Sequence, residues 1–260
     1  MKKLIKKLLD KTGLVVLKKE NFYKLTTNHI EPQEKTISHT IHLDFLLKLL
    51  KDLGYQPQSI FDIGANKGGW TANALEYFPN ANYYLFEPQT FLIDEIKSRF
   101  SKNPNVQFYP YGVGSQRGTM EFTIHDRDDS SNFRMTKDEA LARGFKQIQT
   151  QVVSVDEFVQ EQNLIKPDIL KIDAEGIDLM VIEGAKETLN SHSEVVMVEV
   201  AVMNPLFENT ALKVMNKMDS LGFKLFDITD LNRPFQRNVL WLSEFVFIRK
   251  GGVLDKNYHL

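Results

Sequence analysis

The stretch Ser59-Ile60-Phe61-Asp62-Ile63-Gly64-Ala65-Asn66-Lys67-Gly68-Gly69-Trp70 restricts the fold more than any other part of the chain. A short apolar run ends at an acid and a glycine-bearing turn follows. A helix then starts at once, with Trp70, Ala74, Tyr77 and Phe78 at helical spacing. A second apolar run, Tyr83-Tyr84-Leu85-Phe86, ends in Glu87 and Pro88. Strand, glycine turn, helix, and strand ending in an acid make the nucleotide half of a doubly wound α/β fold. In such a half the glycines let the backbone approach a ligand, and the acid accepts hydrogen bonds from ribose hydroxyls.

A dinucleotide site has the pattern G-x-G-x-x-G, with the pyrophosphate on a helix N-terminus. Here Gly64 and Gly68 hold the outer register, Asn66 fills the middle, and Asp62 precedes them. A carboxylate at that point repels a diphosphate. It suits the cationic amino-acid end of S-adenosylmethionine, directly or through water. The expected cofactor contacts are Asp62, Gly64, Ala65, Asn66 and Gly68 on the first turn, with Glu87 and Pro88 on the second. The bland alternative is a tight turn and a surface acid in an α/β protein that binds nothing there.

The 260 residues, 42% of them hydrophobic, are enough for one globular domain with a short extension. A net charge of -2 argues against a nucleic-acid binder that works through a global positive field. The lack of cysteine excludes disulfides, thiolate zinc sites and a cysteine nucleophile. No apolar run reaches the length of a membrane span. Met1 to Lys11 reads as a short basic amphipathic helix without the cleavage site of a signal peptide. Its Leu4, Ile5, Leu8 and Leu9 face suits packing on the domain or on another subunit. Weak attachment to an anionic membrane surface is the second reading. The division expected is a helical N-terminal cap over 1–57, the nucleotide-binding domain over 58–250 and a tail over 251–260, in a cytoplasmic setting.

Before the first strand, Ile41, Phe45, Leu49 and Leu53 form one helical row with Leu46 and Leu50 beside it, and Gly54 closes the helix. This helix is placed as a cap over the ligand cleft, with His39 and His42 solvated or capping. Further on, a helix carries Leu92, Ile96 and Phe100, and a strand runs from Asn105 to Tyr109. The turn Tyr111 to Gly114 follows, where the Gly112 and Val113 backbone can meet an adenine edge. Thr119 to His125 alternates like an exposed strand, and Asp126 to Gln147 reads as a polar lid or substrate loop. A strand over 151–155, a helix over 156–162 and a core strand over 168–173 come next. A helix with Ile177, Val181, Ala185 and Leu189 leads to a strand over 194–199, then a helix through Val214, Met218 and Leu221. Strands Lys224 to Phe226 and Phe245 to Ile248 complete the chain. Strands alternating with helices demand right-handed crossovers and a mostly parallel sheet.

Side chains alternate along a strand, so Lys171 and Asp173 share a face. Ligands of open α/β sheets bind outside the carboxyl ends of the strands, where Lys171, Asp173, Glu175 and Glu199 all fall. A lysine inside a central strand needs a partner, and Glu199 is the expected one. The alternative is an ion pair that only organises the top of the sheet. The loop acids Asp126, Asp128 and Asp129 suit a divalent cation or, more simply, solvent; no metal is expected.

Asp62-Ile63-Gly64-Ala65-Asn66-Lys67-Gly68, Phe86-Glu87-Pro88, the Ser130-Ser131 region and Leu170-Lys171-Ile172-Asp173-Ala174-Glu175-Gly176 occur in the order of FkbM-type methyltransferases. Glu199 after an apolar strand and the closing Phe245-Val246-Phe247 also fit, so the resemblance runs over about residues 58 to 250. It implies a seven-stranded sheet whose last strand is antiparallel. It also implies S-adenosylmethionine-dependent O-methylation, commonly of a sugar or secondary-metabolite hydroxyl. An alcohol is a poor nucleophile at neutral pH, so a base is needed. Asp173 is the first candidate, with Glu175 and His125 behind it and Lys171 alongside. Ser130, Ser131, Asn132 and Glu199 are the candidate acceptor contacts. The partners expected are a small-molecule or glycan acceptor and, as an open alternative, a second copy of the chain. Nucleic acid and stable membrane insertion are not expected. Two other readings stand beside this one: an NAD-dependent oxidoreductase on the same half-fold, and a glycan-binding protein with a vestigial cofactor site.

Overall fold

The computed structural model describes residues 39–125, 131–233 and 239–257. The basic N-terminal helix and the acids Asp126, Asp128 and Asp129, with Ser130, lie outside the described residues. Seven strands form the main sheet: β1 (Ser59–Ile63), β2 (Asn82–Phe86), β3 (Val106–Tyr109), β7 (Ile169–Ile172), β8 (Val195–Ala201), β9 (Phe223–Asn232) and β10 (Leu242–Arg249). Between β3 and β7 the chain builds a second sheet of β4 (Gly112–Val113), β5 (Gly118–Ile124) and β6 (Lys146–Val153).

The main sheet has the order β3-β2-β1-β7-β8-β10-β9. β1 pairs in parallel with β2 and β7, while β10 runs antiparallel to both β8 and β9. The last strand is therefore the antiparallel one, as the resemblance implies. After β3 the chain returns to the other side of β1, so the order reverses between β1 and β7. Crevices at the carboxyl ends of strands open at such a reversal.

Both faces of the sheet are covered, which is why β1, β7 and β8 read as nearly unbroken apolar runs. One face carries Phe61, Ile63, Leu170, Ile172, Val196 and Val198. Against it pack α5 (Val155–Glu161), α6 (Asp178–Gly184), α7 (Lys186–Ser191) and α8 (Ala211–Ser220), which bury Phe158, Val181, Leu189 and Val214. The other face carries Ile60, Ile169, Val195, Met197 and Val246. It is covered by α1 (His39–Asp52), α2 (Gly69–Tyr77) and α3 (Ile93–Arg99).

The compact unit starts at His39 and includes α1. The buried face of that helix differs from the expected row. Leu43, Leu46, Leu47 and Leu50 are buried, whereas Phe45 is 64% exposed. Leucines at almost every position let two overlapping rows fit the helical period, and packing on the sheet selects one of them. Gly54 closes the helix as expected, in the left-handed region at φ 80°.

The segment read as a polar loop is largely ordered into elements. Asn132 exchanges backbone hydrogen bonds with Thr123, α4 (Lys137–Ala142) follows, and β6 begins at Lys146. Thr136 and Glu139 form a reciprocal capping box at the start of α4, each side chain accepting from the other's backbone N–H. The expected C-terminal tail instead forms α9 (Val253–Asn257). There Leu254 is fully buried and its N–H donates to Glu194 Oε1 at 2.9 Å. No helix among the described residues is long and apolar enough to cross a membrane.

Candidate active site

The end of β1 turns sharply because Gly64 adopts φ 74°. A Cβ there would lie 1.8 Å from the Asp173 carbonyl oxygen, so only glycine lets the β1 turn touch the β7 turn. Gly68, also left-handed, precedes α2, and a Cβ on it would meet the Phe100 ring at 2.5 Å. The protein's own packing thus demands both glycines. Asn66 takes the left-handed region at φ 47°, which turns its N–H onto Glu87 Oε2 at 2.9 Å.

Glu87 ends β2 and is almost fully buried. Its Oε1 accepts from Gln89 N–H at 2.9 Å and from Gln89 Nε2 at 3.0 Å. Burial raises its pKa above the ordinary carboxylate value, against the donors from Gln89 and Asn66. These bonds anchor the carboxylate at the mouth of a cleft. Tyr111, Val113, Phe122 and Phe133 give that cleft apolar walls, and Asp173 and Glu175 stand among its polar lining. Gly64, Asn66, Glu87, Pro88, Gly112, Val113 and Ser131, all named from the sequence, line it too. Phe122, Phe133 and Gln89 were missed. Gly112 and Val113 sit on a short strand paired with β6 and not in a free turn.

Asp62 is not at the cleft. It is fully buried on the opposite face of β1 from Ile63. Thr71 donates its hydroxyl to Asp62 Oδ2 at 2.7 Å, and Lys171 Nζ lies 3.3 Å from Oδ1. Lys171 Nζ also donates to Asp173 Oδ2 and to the Gly64 carbonyl, each at 3.3 Å. Burial opposes its charge, but Asp173 and Asp62 outweigh burial and raise its pKa above the ordinary lysine value.

The expected Lys171–Glu199 pair does not form, and register explains why. Lys171 lies opposite Asp62 on β1 but opposite Met197 on β8. Glu199 lies two residues further along and faces Glu244 of β10. Glu199 Oε2 is out of solvent with no hydrogen-bond partner among the described residues. Burial, then repulsion from Asp173, Glu175 and Asp178, pushes its pKa well up. Glu244 accepts from the Thr229 hydroxyl at 2.6 Å, and burial still pushes it up to about 7. Sequence reasoning missed Glu244.

Asp178 was also missed. It is fully buried, accepts from Ala174 N–H at 2.9 Å and Gly176 N–H at 3.1 Å, and so holds the turn that carries Glu175 at φ 50°. Asn209 Nδ2 donates to it at 2.8 Å, and burial raises its pKa to about 6. An acid in the first turn of the helix after Asp173-Ala174-Glu175-Gly176 was the signal available in the sequence.

His125 is not among the described residues that line the cleft. Its N–H donates to Ser131 Oγ at 3.1 Å, its Nε2 lies 3.1 Å from Asn132 Nδ2, and its ring is 4.1 Å from that of Phe145. These contacts hold it just beyond the end of β5. Asn132 is buried and accepts from Arg134 N–H at 3.1 Å, so it supports this segment without lining the cleft.

The raised carboxyls give a pH dependence. A carboxyl whose folded pKa exceeds its unfolded value binds its proton more tightly in the native state. That stabilisation is complete below the unfolded pKa and is lost as pH rises through the folded one. For Glu244 the window runs from the ordinary 4.5 to about 7. Stability measured by urea denaturation is expected to fall by about 1 kcal/mol between about pH 6 and about pH 8 from this group. Glu244→Gln should flatten that part of the slope. An unchanged slope would mean that Glu244 titrates as it does in water.

Residues 62–225 match the profile of the methyltransferase FkbM domain. The chain is 25% identical over 189 residues to the hexuronic acid methyltransferase AglP of Haloferax volcanii, covering 72% of each protein. A crystal structure of methyltransferase FkbM from Methylobacillus flagellatus KT superposes with a TM-score of 0.50 at 14% identity. That superposition covers 73% of this chain but 43% of the longer protein, and it speaks for the fold alone. With the profile spanning well over half of its length, from the acid that ends β1 into β9, this chain belongs to the FkbM methyltransferase family.

Proposed function

We propose that the protein methylates a hydroxyl of a sugar or glycan with S-adenosylmethionine as donor and Asp173 as base. The observation that carries this reading is the position of Asp173. It lines the cleft beside Glu87 and also a second cavity on the other side of the β7 end. The chemistry of the cleft fits the cofactor. Glu87 Oε2 accepts one backbone N–H, which leaves a lone pair for a ribose hydroxyl. Aromatic walls suit a base, and Asp173 and Glu175 suit a cationic end. Glu87, Asp173 and Glu175 are the charged groups of the described lining, so a dinucleotide's diphosphate would meet like charge there. This disfavours the oxidoreductase reading.

When bound, the cofactor supplies an electrophilic methyl group on a sulfonium. The chain's own residues then have two tasks. Lys171, anchored on Asp62, keeps the Asp173 carboxylate in place by donating to one of its oxygens. Asp173 accepts the proton of the acceptor hydroxyl, whose oxygen would take the methyl group as the methyl–sulfur bond breaks and the neutral thioether leaves. Holding the acceptor in line accounts for most of the acceleration, up to roughly 7–11 kcal/mol.

A thermal-shift panel tests the reading. S-adenosylhomocysteine should raise the melting temperature and NAD should not. Glu87→Ala should weaken the S-adenosylhomocysteine shift, because a lost charge-assisted hydrogen bond is worth roughly 1.5–3 kcal/mol of binding. Stabilisation by NAD alone, or by neither, would remove the proposal.

A further inference from the structure

We infer that Asp178 and Arg134, neither of them among the described residues that line the cleft, are positioning residues for the cofactor. They fix the turn Asp173-Ala174-Glu175-Gly176 in the shape that receives the cationic amino-acid end, while the adenosine end is held without them. The inference rests on the methyl-transfer reading above and adds which residues set the grip on that end.

Asp173, Ala174 and Glu175 of the turn line the cleft. The turn is tied down where it leaves the sheet, because the Asp173 N–H donates to the Ile63 carbonyl of β1 at 3.0 Å. Beyond that point the backbone needs support. Glu175 sits at φ 50° and Gly176 at φ 100°. A residue with a side chain is uncommon in the left-handed region and stays there where its surroundings impose it. Asp178 supplies the inner support. One carboxylate oxygen accepts from Ala174 N–H at 2.9 Å and the other from Gly176 N–H at 3.1 Å, so the N–H groups flanking Glu175 converge on one buried group. Asn209, also fully buried, donates Nδ2 to that second oxygen and to the Glu199 carbonyl, each at 2.8 Å. The carboxylate is thereby fastened to β8 as well.

Arg134 supplies the outer support. Its stem lies on Gly176, where a Cβ would come within 2.2 Å of Arg134 Cδ. The guanidinium sits 4.2 Å over the Phe207 ring, and Nη1 donates to the Leu206 carbonyl at 3.2 Å. The residue before it, Phe133, is an aromatic wall of the cleft. The turn is thus held between a buried carboxylate and an arginine stem, each anchored elsewhere in the domain. A receiving group set in place beforehand raises affinity, since otherwise its ordering subtracts from the binding free energy. The two halves of the cofactor use different parts of the cleft. Adenosine fits Glu87 and the aromatic walls, and the ammonium fits the acids of the turn. Loosening the turn therefore acts on one half of the ligand.

Titration calorimetry on the whole chain with two ligands tests this. One is S-adenosylhomocysteine. The other is 5′-methylthioadenosine, which keeps the adenosine and the thioether and lacks the amino-acid end. Asp178→Asn conserves volume but, whichever way the amide turns, sets its nitrogen against an N–H of the turn. Arg134→Ala removes the stem from Gly176. Each variant should bind S-adenosylhomocysteine about tenfold more weakly and methylthioadenosine within about twofold of the unaltered protein. Glu87→Ala, at the ribose, should weaken both ligands. A merely structural role would move both ligands together or neither. Equal losses for the two ligands, or no loss for S-adenosylhomocysteine, in either folded variant would overturn the inference and leave the methyl-transfer reading standing. Circular dichroism establishes folding, and Arg134→Ala, a change at a half-buried residue, decides alone should Asp178→Asn not fold. If the unaltered protein binds neither ligand, the methyl-transfer reading fails and this inference with it.

Discussion

Replacing Lys171 with methionine is expected to lower the stability of the fold by about 3–5 kcal/mol, the usual loss when one member of a buried pair is removed. The magnitude follows from what the change leaves behind. Asp62 is fully buried, and without the ammonium it keeps, among the described residues, the Thr71 hydroxyl as its neutral donor. Asp173 loses a partner too, but its side chain is 37% exposed and water can replace the lysine there. The cost therefore resides in the Asp62 side of the network. A double substitution, Lys171→Met with Asp62→Leu, should recover most of the loss, because a buried pair replaced as a whole by apolar groups is often neutral. Urea denaturation of the two single variants and the double variant gives the coupling directly. A loss below about 1 kcal/mol for Lys171→Met would mean that water reaches Asp62 and that the pair is not buried in solution.

That network also shows how far sequence reasoning reaches. The apolar runs of β1, β2, β7 and β8, the acids that close them and the antiparallel last strand were all legible, because strand ends and period are local properties. The need for a partner on Lys171 was legible as well. Which acid it meets was not. Pairing depends on the register of β7 against both neighbours, and register is set by packing over the whole sheet. The same limit hid the cross-strand pair Glu199–Glu244, whose members are far apart in the chain. Leucine-rich α1 admitted two faces, and only the sheet it covers distinguishes them. Residues 131 to 147 differ from the expected loop for another reason. Polar composition suggested a loop, although Thr136 and Glu139 carried a helix-start signature that outweighs composition locally. The place of His125 beside Phe145 and Asn132 is a matter of tertiary contact, which the sequence does not display.

Asp173→Asn is expected to leave the fold and the S-adenosylhomocysteine shift in place and to cut methyl transfer by about two to four orders of magnitude, the scale of a lost general base. The amide is a conservative test here. Its oxygen can still accept from Lys171 Nζ, and the exposure of the side chain keeps the stability change small. What it cannot do is take a proton from a hydroxyl. The loss should therefore appear in kcat with little change in the KM of the acceptor, since the geometry of both cavities is retained. The neighbouring acids allow a discriminating control. Glu175 lines only the cofactor cleft and Glu244 only the second cavity, so neither sits where both reactants meet. Glu175→Gln and Glu244→Gln should each keep kcat within about tenfold of the unaltered enzyme. If Asp173→Asn instead abolishes the thermal shift or unfolds with Lys171→Met, Asp173 is a structural member of the lysine network. If its kcat stays within about tenfold while Glu244→Gln loses activity, the proton goes to β10, and the base has been assigned to the wrong strand.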